Sequence, residues 1–226
     1  MTDTNFADMI SKIAHELRSP LTSVKGFSAT LIGRWERFTD EQRFELVEAI
    51  HADAERMGRI VSEVLDLARL ESNRLELHRT AVELKDVAVK AAEHVARLPG
   101  SDRVAVEVPP GLVAKVDGER IGHVLTNLIE NAVKFSDDGA ITVQGKAVDR
   151  MVEVSVADSG VGIEADRLSE IFSGPGPTGQ RATPLGTGLG LYLSLKLVQA
   201  HDGTLEVEST EGEGTTFRMR VPVGEH

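Results

Sequence analysis

Two unbroken apolar seams constrain the first third of this chain. Phe6, Ile10, Ile13, Leu17, Val24, Phe27 and Leu31 alternate by threes and fours, with Pro20 on the same row. Val47, Ile50, Ala54, Met57, Val61, Val64 and Ala68 do the same. That period belongs to amphipathic helices whose stripes face a bundle core. Gly33 and the polar stretch to Asp40 make the turn between them, with Thr39 or Asp40 as the N-cap of the second helix. Two antiparallel helices cannot bury both stripes together with Ile60 and Leu67. The pattern therefore predicts a homodimer making a four-helix bundle. The other solution is a monomer whose hairpin docks onto the rest of the chain.

His15 lies two residues from both Ile13 and Leu17. Rotation of about 100° per residue carries it to the face opposite the seam. The run His15-Glu16-Leu17-Arg18-Ser19-Pro20 thus presents an imidazole to solvent beside a carboxylate, on a rigid helix. A lone histidine of this kind reads first as a solvated surface residue. A chemical role needs independent support from elsewhere in the chain.

Composition narrows the choices. The 226 residues carry a formal net charge of −11, which argues against a nucleic-acid partner, since phosphate backbones demand concentrated Lys and Arg. No run approaches the roughly 20 apolar residues that span a bilayer, and no signal peptide is visible. The absence of cysteine excludes disulfides and thiolate metal sites and fits a cytoplasmic protein, or the cytoplasmic portion of a longer membrane sensor.

From about Leu75 the pattern turns to mixed α/β, which divides the chain into expected domains at 1–74 and 75–226. Leu84 to Leu98 reads as a helix ended by Pro99-Gly100. Val104 to Val108 and Val113 to Val116 read as strands, and Asp117 caps a helix to about Phe135. Ile141 to Val148 and Met151 to Ala157 form a hairpin turning at Asp149-Arg150. A helix from about Gly188 to His201 precedes two closing strands, Thr204 to Ser209 and Thr215 to Val221. Hairpins interleaved with helices predict a layered α/β sandwich with a largely antiparallel sheet.

Four motifs in this second segment point to a nucleotide. Asn127, Asn131 and Lys134 share one helical face, and amide oxygens with an ammonium suit Mg²⁺ carrying a polyphosphate. Asp158-Ser159-Gly160-Val161-Gly162-Ile163 follows an apolar strand. A carboxylate there can accept from an exocyclic amine while the glycines let a flat base approach. Gly186-Thr187-Gly188-Leu189-Gly190-Leu191 opens a helix, where exposed N–H groups and the helix dipole favour phosphate. It does not follow a strand, so it is not a dinucleotide fingerprint. Gly212-Glu213-Gly214-Thr215-Thr216-Phe217 is compatible with a plain hairpin turn.

Taken in this order behind the histidine helix, the motifs make the chain resemble the catalytic core of a sensor histidine kinase from two-component signalling, over nearly its whole length. The resemblance implies an α+β architecture: an N-terminal helical hairpin forming a dimeric four-helix bundle, then a Bergerat-type α/β sandwich that binds ATP. By the same resemblance His15 is the phosphoacceptor, Glu16 its acid/base residue, and Ser19 the position used in dephosphorylating the partner regulator. Asn131 is implied as the Mg²⁺ ligand, with Asn127 and Lys134 on the phosphates. Asp158 is implied to read the adenine amine, with Gly160 and Gly162 shaping the pocket. Gly186, Thr187, Gly188, Leu189, Gly190 and Thr216 complete the implied nucleotide contacts. The implied activity is ATP-dependent autophosphorylation of His15 and transfer to an aspartate on the receiver domain of a response regulator.

The chain departs from the family between Ile171 and Gly186. Ser173 to Leu185 holds three glycines, three prolines and a single cation, Arg181, which reads as a mobile lid whose arginine either reaches a phosphate or stays solvated. Two rival readings stand beside the kinase. One is a Bergerat-type ATPase, disfavoured because its water-activating glutamate is Asn127 here. The other is a silent scaffold that docks a regulator without turnover. His15 and the nucleotide motifs lie in separate segments, so a kinase requires a hinge near Ser72–Leu77. With no sensor segment before Met1, the expectation is a kinase fed by another protein or an excised core.

Overall fold

The computed structural model describes residues 3–72, 74–96, 98–136, 138–172 and 189–224, and these fall into two units divided after Ser72. The first is a helical hairpin of α1 (Asp3–Arg34) and α2 (Asp40–Glu71). Thr39 is the N-cap of α2. Its hydroxyl accepts the Gln42 N–H, and the Gln42 side chain accepts the Thr39 N–H in return. Such a reciprocal cap contributes about 1 kcal/mol. Arg43 braces the turn by lying 4.6 Å over the Trp35 ring and donating to the Trp35 carbonyl.

The hairpin settles which stripes it buries. Ile13, Pro20 and Leu31 are buried on α1, with Leu17, Val24 and Phe27 half-buried between them. On α2 the buried row runs through Ile60 and Leu67, while Val47 and Val61 stay about half exposed, at 49% and 47%. One protomer therefore satisfies the Ile60 row and leaves much of the Val47–Val61 stripe open. Pro20 is buried inside α1 and has no N–H to offer the Glu16 carbonyl, so the ladder lacks a bond one turn after His15.

The second unit is a sheet covered by helices. Its elements are β1 (Thr80–Glu83), α3 (Leu84–Val95), β2 (Val104–Glu107), β3 (Val113–Val116), α4 (Gly118–Phe135), β4 (Ile141–Val148), β5 (Met151–Asp158), α5 (Leu189–Ala200), β6 (Thr204–Thr210) and β7 (Gly214–Pro222). The main sheet has the order β2-β4-β5-β7-β6, antiparallel except for β2 against β4. The sandwich expected from the sequence is thus observed, with two differences. Strand β1, which sequence reading missed, pairs antiparallel with β3 in a separate two-stranded sheet. Helix α3 ends at Val95 rather than Leu98, because the Ala96 and Leu98 N–H groups turn to the Glu93 and Val95 carbonyls, three residues back instead of four.

Helix α4 packs between α3 and α5 and buries Ile121, Val124, Leu125, Leu128 and Ile129 completely. His201, just beyond α5 and fully buried, ties the two site-bearing helices together. Its Nε2 accepts the Asp117 N–H at 3.0 Å and its Nδ1 donates to the Leu197 carbonyl at 2.7 Å. Because Nε2 must accept, the proton sits on Nδ1 and the ring is neutral. Asp117 in turn caps α4 through the Arg120 N–H and accepts the His78 N–H.

Burial pulls the His201 pKa below the ordinary value of 6.5, against the opposing Leu197 bond. The unfolded chain binds a proton below pH 6.5 that the folded chain refuses, so this stability is present above 6.5 and lost as pH falls beneath it. Urea titrations should show the second unit losing stability progressively as pH falls below this point. In His201→Gln that acid-dependent loss should shrink while stability at pH 7.5 is already lower. An equal acid loss in both proteins would dismiss His201 as its source.

Candidate functional site

In the first unit His15 is exposed on the face of α1 away from the buried row, as its spacing predicts. Ser19 and Thr22, one and two turns on, are exposed as well. Glu16 turns partly inward, its carboxylate 3.8 Å from Arg56 of α2. At that distance the attraction is modest, and it aims the carboxylate across the hairpin.

In the second unit three of the four motifs converge. Asp158 ends β5, half-buried, with its Oδ1 accepting the Gly160 N–H at 2.8 Å. Burial pushes its carboxyl above the ordinary value, opposed by backbone N–H groups of Gly160 and Thr215. The loop after Asp158 is zipped to the turn between β6 and β7: the Gly212 N–H donates to the Val161 carbonyl, and the Ile163 N–H to the Ser209 hydroxyl. A fourth motif that looked like a plain hairpin is therefore the wall of the Asp158 loop.

The glycines of this loop have a packing reason of their own. A Cβ on Gly160 would collide with the Phe135 carbonyl at the end of α4, and one on Gly162 with the Thr210 carbonyl. Their bareness admits the chain's own backbone. Gly162 also has a φ of +67°.

Thr216 requires a correction. It pairs with Ala157, while Thr215 pairs with Asp158. Opposite residues in an antiparallel ladder share a face, and successive residues alternate. Thr215 is thus the threonine beside Asp158, and Thr216 points to the other side of the sheet. The doublet itself was visible; choosing between its members needed the register.

Along α4, Asn127 donates to the Ser194 hydroxyl at 3.0 Å, and its Oδ1 lies where a Cβ on Gly190 would meet it. This contact seats α4 against the first turn of α5, where Leu189 is buried and forms part of the core. Asn131 is half-exposed, and no side-chain hydrogen bond is found for it among the described residues. Lys134 Nζ lies 3.6 Å from Glu130, a partly exposed pair that is cheaply broken. Phe172 packs edge-on against Phe217 of β7, with centroids 6.2 Å apart. Arg181, Gly186, Thr187, Gly188 and the expected lid over Ser173–Leu185 lie outside the described residues.

Among the described residues no cluster of three or more His, Cys, Asp or Glu is found, and no helix is long and apolar enough to cross a membrane. A cation held by α4 would have amide oxygens for donors. Asn131 fits that part, with a carboxamide not used by its neighbours and a lysine one turn away.

Comparison with known proteins agrees with both halves. Residues 7–73 match the family described as "His Kinase A (phospho-acceptor) domain", and residues 116–225 match "Histidine kinase-, DNA gyrase B-, and HSP90-like ATPase". Histidine protein kinase DivJ of Caulobacter vibrioides is 35% identical over 226 residues, covering 96% of this chain and 37% of that protein. The chain thus spans little more than a third of that relative's length. Full-length ShkA, solved in complex with AMPPNP, is 27% identical with a TM-score of 0.68, over 96% of this chain and 46% of that one. The histidine kinase AdeS of Acinetobacter baumannii, at 22% identity and a TM-score of 0.67, covers 93% of this chain and 98% of its own and shows the same fold.

Proposed function

The chain belongs to the sensor histidine kinases, as a catalytic core of that family, and from that premise we propose that it uses ATP to phosphorylate its own His15 and passes the phosphoryl group to an aspartate on a response regulator's receiver domain. One observation carries the reading: an exposed histidine opposite a buried helix row, in a chain whose second unit ties the loop after Asp158 to the end of the helix that bears Asn131 and Lys134, the Val161 N–H donating to the Phe135 carbonyl. ShkA's binding of AMPPNP supports ATP as the donor here. The absence of cysteine supports a cytoplasmic location, which is where we place this core.

In the proposed reaction an imidazole nitrogen of His15 attacks the γ-phosphorus, and the bond to the bridging oxygen breaks. ADP leaves with the electron pair, and the displaced ring proton passes to Glu16. Imidazole is already a fair nucleophile near neutral pH, so Glu16 has little more to do than orient it and accept that proton. Asp158 accepts from the adenine amine, with Thr215 taking the place expected of Thr216. Asn127 and Lys134 position the phosphates, and Asn131 would hold Mg²⁺, which would neutralise charge on the transferred group. The exposure of Ser19 one turn beyond His15 supports a regulator phosphatase step as a second activity.

Incubation with γ-labelled ATP separates this from its rivals: label on protein for a kinase, free phosphate for an ATPase, and neither for a scaffold. Asn127 in place of a water-activating glutamate favours the first. Adding a receiver domain should then move the label, and label that never leaves the kinase would refute the transfer step.

The open Val47–Val61 stripe supports a homodimer. A charge at Val61, half exposed in one protomer, should dissociate the pair and leave the hairpin helical, since an unpaired charge in an apolar interface costs several kcal/mol. Sedimentation equilibrium of Val61→Glu should give a monomer where the parent is dimeric. A monomeric parent, or a dimeric variant, would rule this interface out.

A further inference from the structure

Ser209, near the end of β6, has every hydrogen-bonding position of its hydroxyl in use. Its Oγ accepts the Ile163 N–H at 2.8 Å, donates to the Gly214 carbonyl at 2.8 Å and lies 2.9 Å from Thr215 Oγ1. A hydroxyl has one proton and two lone pairs. The Gly214 carbonyl can only accept, so the serine proton goes there. The bond with Thr215 must then be donated by the threonine. With its proton spent on Ser209, the Thr215 oxygen offers a neighbour lone pairs alone. Thr215 stands opposite Asp158 on the same face of the sheet, and an ionised carboxylate is also acceptor-only.

We propose that Ser209 is a base-selectivity residue of this site: by fixing the direction of the Thr215 proton, it makes the wall beside Asp158 accept-only. Such a wall takes the exocyclic amine of adenine and repels the carbonyl oxygen that guanine carries at the same position. Ser209 touches no nucleotide in this scheme; it acts through Thr215. The inference rests on Asp158 as the base contact proposed above.

Calorimetric titration of the full chain with ATP and with GTP tests it. Ser209→Ala frees the Thr215 proton to turn toward a guanine carbonyl, so the preference for ATP over GTP should narrow by about tenfold, the worth of one hydrogen bond. Ser209→Thr keeps the hydroxyl and should keep the preference. If Ser209→Ala weakens both nucleotides equally, the serine is structural only and the proposal falls. Thr215→Val keeps the shape but removes proton and oxygen together, so it must also narrow the preference. An unchanged ratio there overturns the proposal whether or not Ser209→Ala folds. A parent that binds ATP and GTP equally overturns this inference alone. A parent that binds neither overturns the nucleotide site itself.

Discussion

Asp158→Asn is expected to weaken ATP binding on the order of 10- to 100-fold, the range for losing a hydrogen bond to a charged group, and to narrow the preference over GTP. The variant retains an oxygen for the Gly160 N–H, so the loop after β5 keeps its anchor. Its second position becomes an amide N–H, a donor facing the adenine amine, which is also a donor. Stability should move the other way. Burial raises the Asp158 pKa from 3.8, so the charged form is disfavoured in the folded chain. Its favourable contribution is present below pH 3.8 and is gone once pH has risen through the folded value. At neutral pH the buried carboxylate therefore costs stability, and the neutral amide relieves that cost. Calorimetry should show affinity lost while the thermal midpoint holds or rises. Unchanged affinity would remove Asp158 from the site, and a fallen midpoint would make it structural.

What the sequence made legible was local. The helices α1 and α2, the seam of α1, the cap at Thr39, the cap at Asp117 and the β4–β5 hairpin each follow from residues within a turn or two of one another. His15 was legible for the same reason, since its exposure follows from the phase of the row around it. What escaped reading depends on partners distant in the chain. Thr80 to Glu83 is too short to announce a strand and exists through its pairing with β3. Gly160 and Gly162 are bare because Phe135 and Thr210 approach them, which no local pattern reveals. The threonine doublet differs by one residue, and one residue of register exchanges the two faces of a sheet. Ser209 and His201 carry no motif at all. Each is an ordinary polar residue until the fold brings three partners to the one and two to the other.

The claim on which the rest depends is that His15 carries the phosphoryl group. His15→Gln is expected to reduce protein labelling to background while leaving ATP affinity and helicity unchanged, because the side chain is exposed and its replacement removes no core contact. A phosphorylated imidazole is stable in alkali and lost in acid, unlike a phosphorylated serine or threonine, so the chemistry of the label identifies its site. The decisive measurement is incubation of parent and variant with γ-labelled ATP, followed by acid and alkali treatment. Label on the parent that survives alkali, vanishes in acid and is absent from His15→Gln is the predicted result. Label that persists on the variant, or that resists acid on the parent, would contradict it.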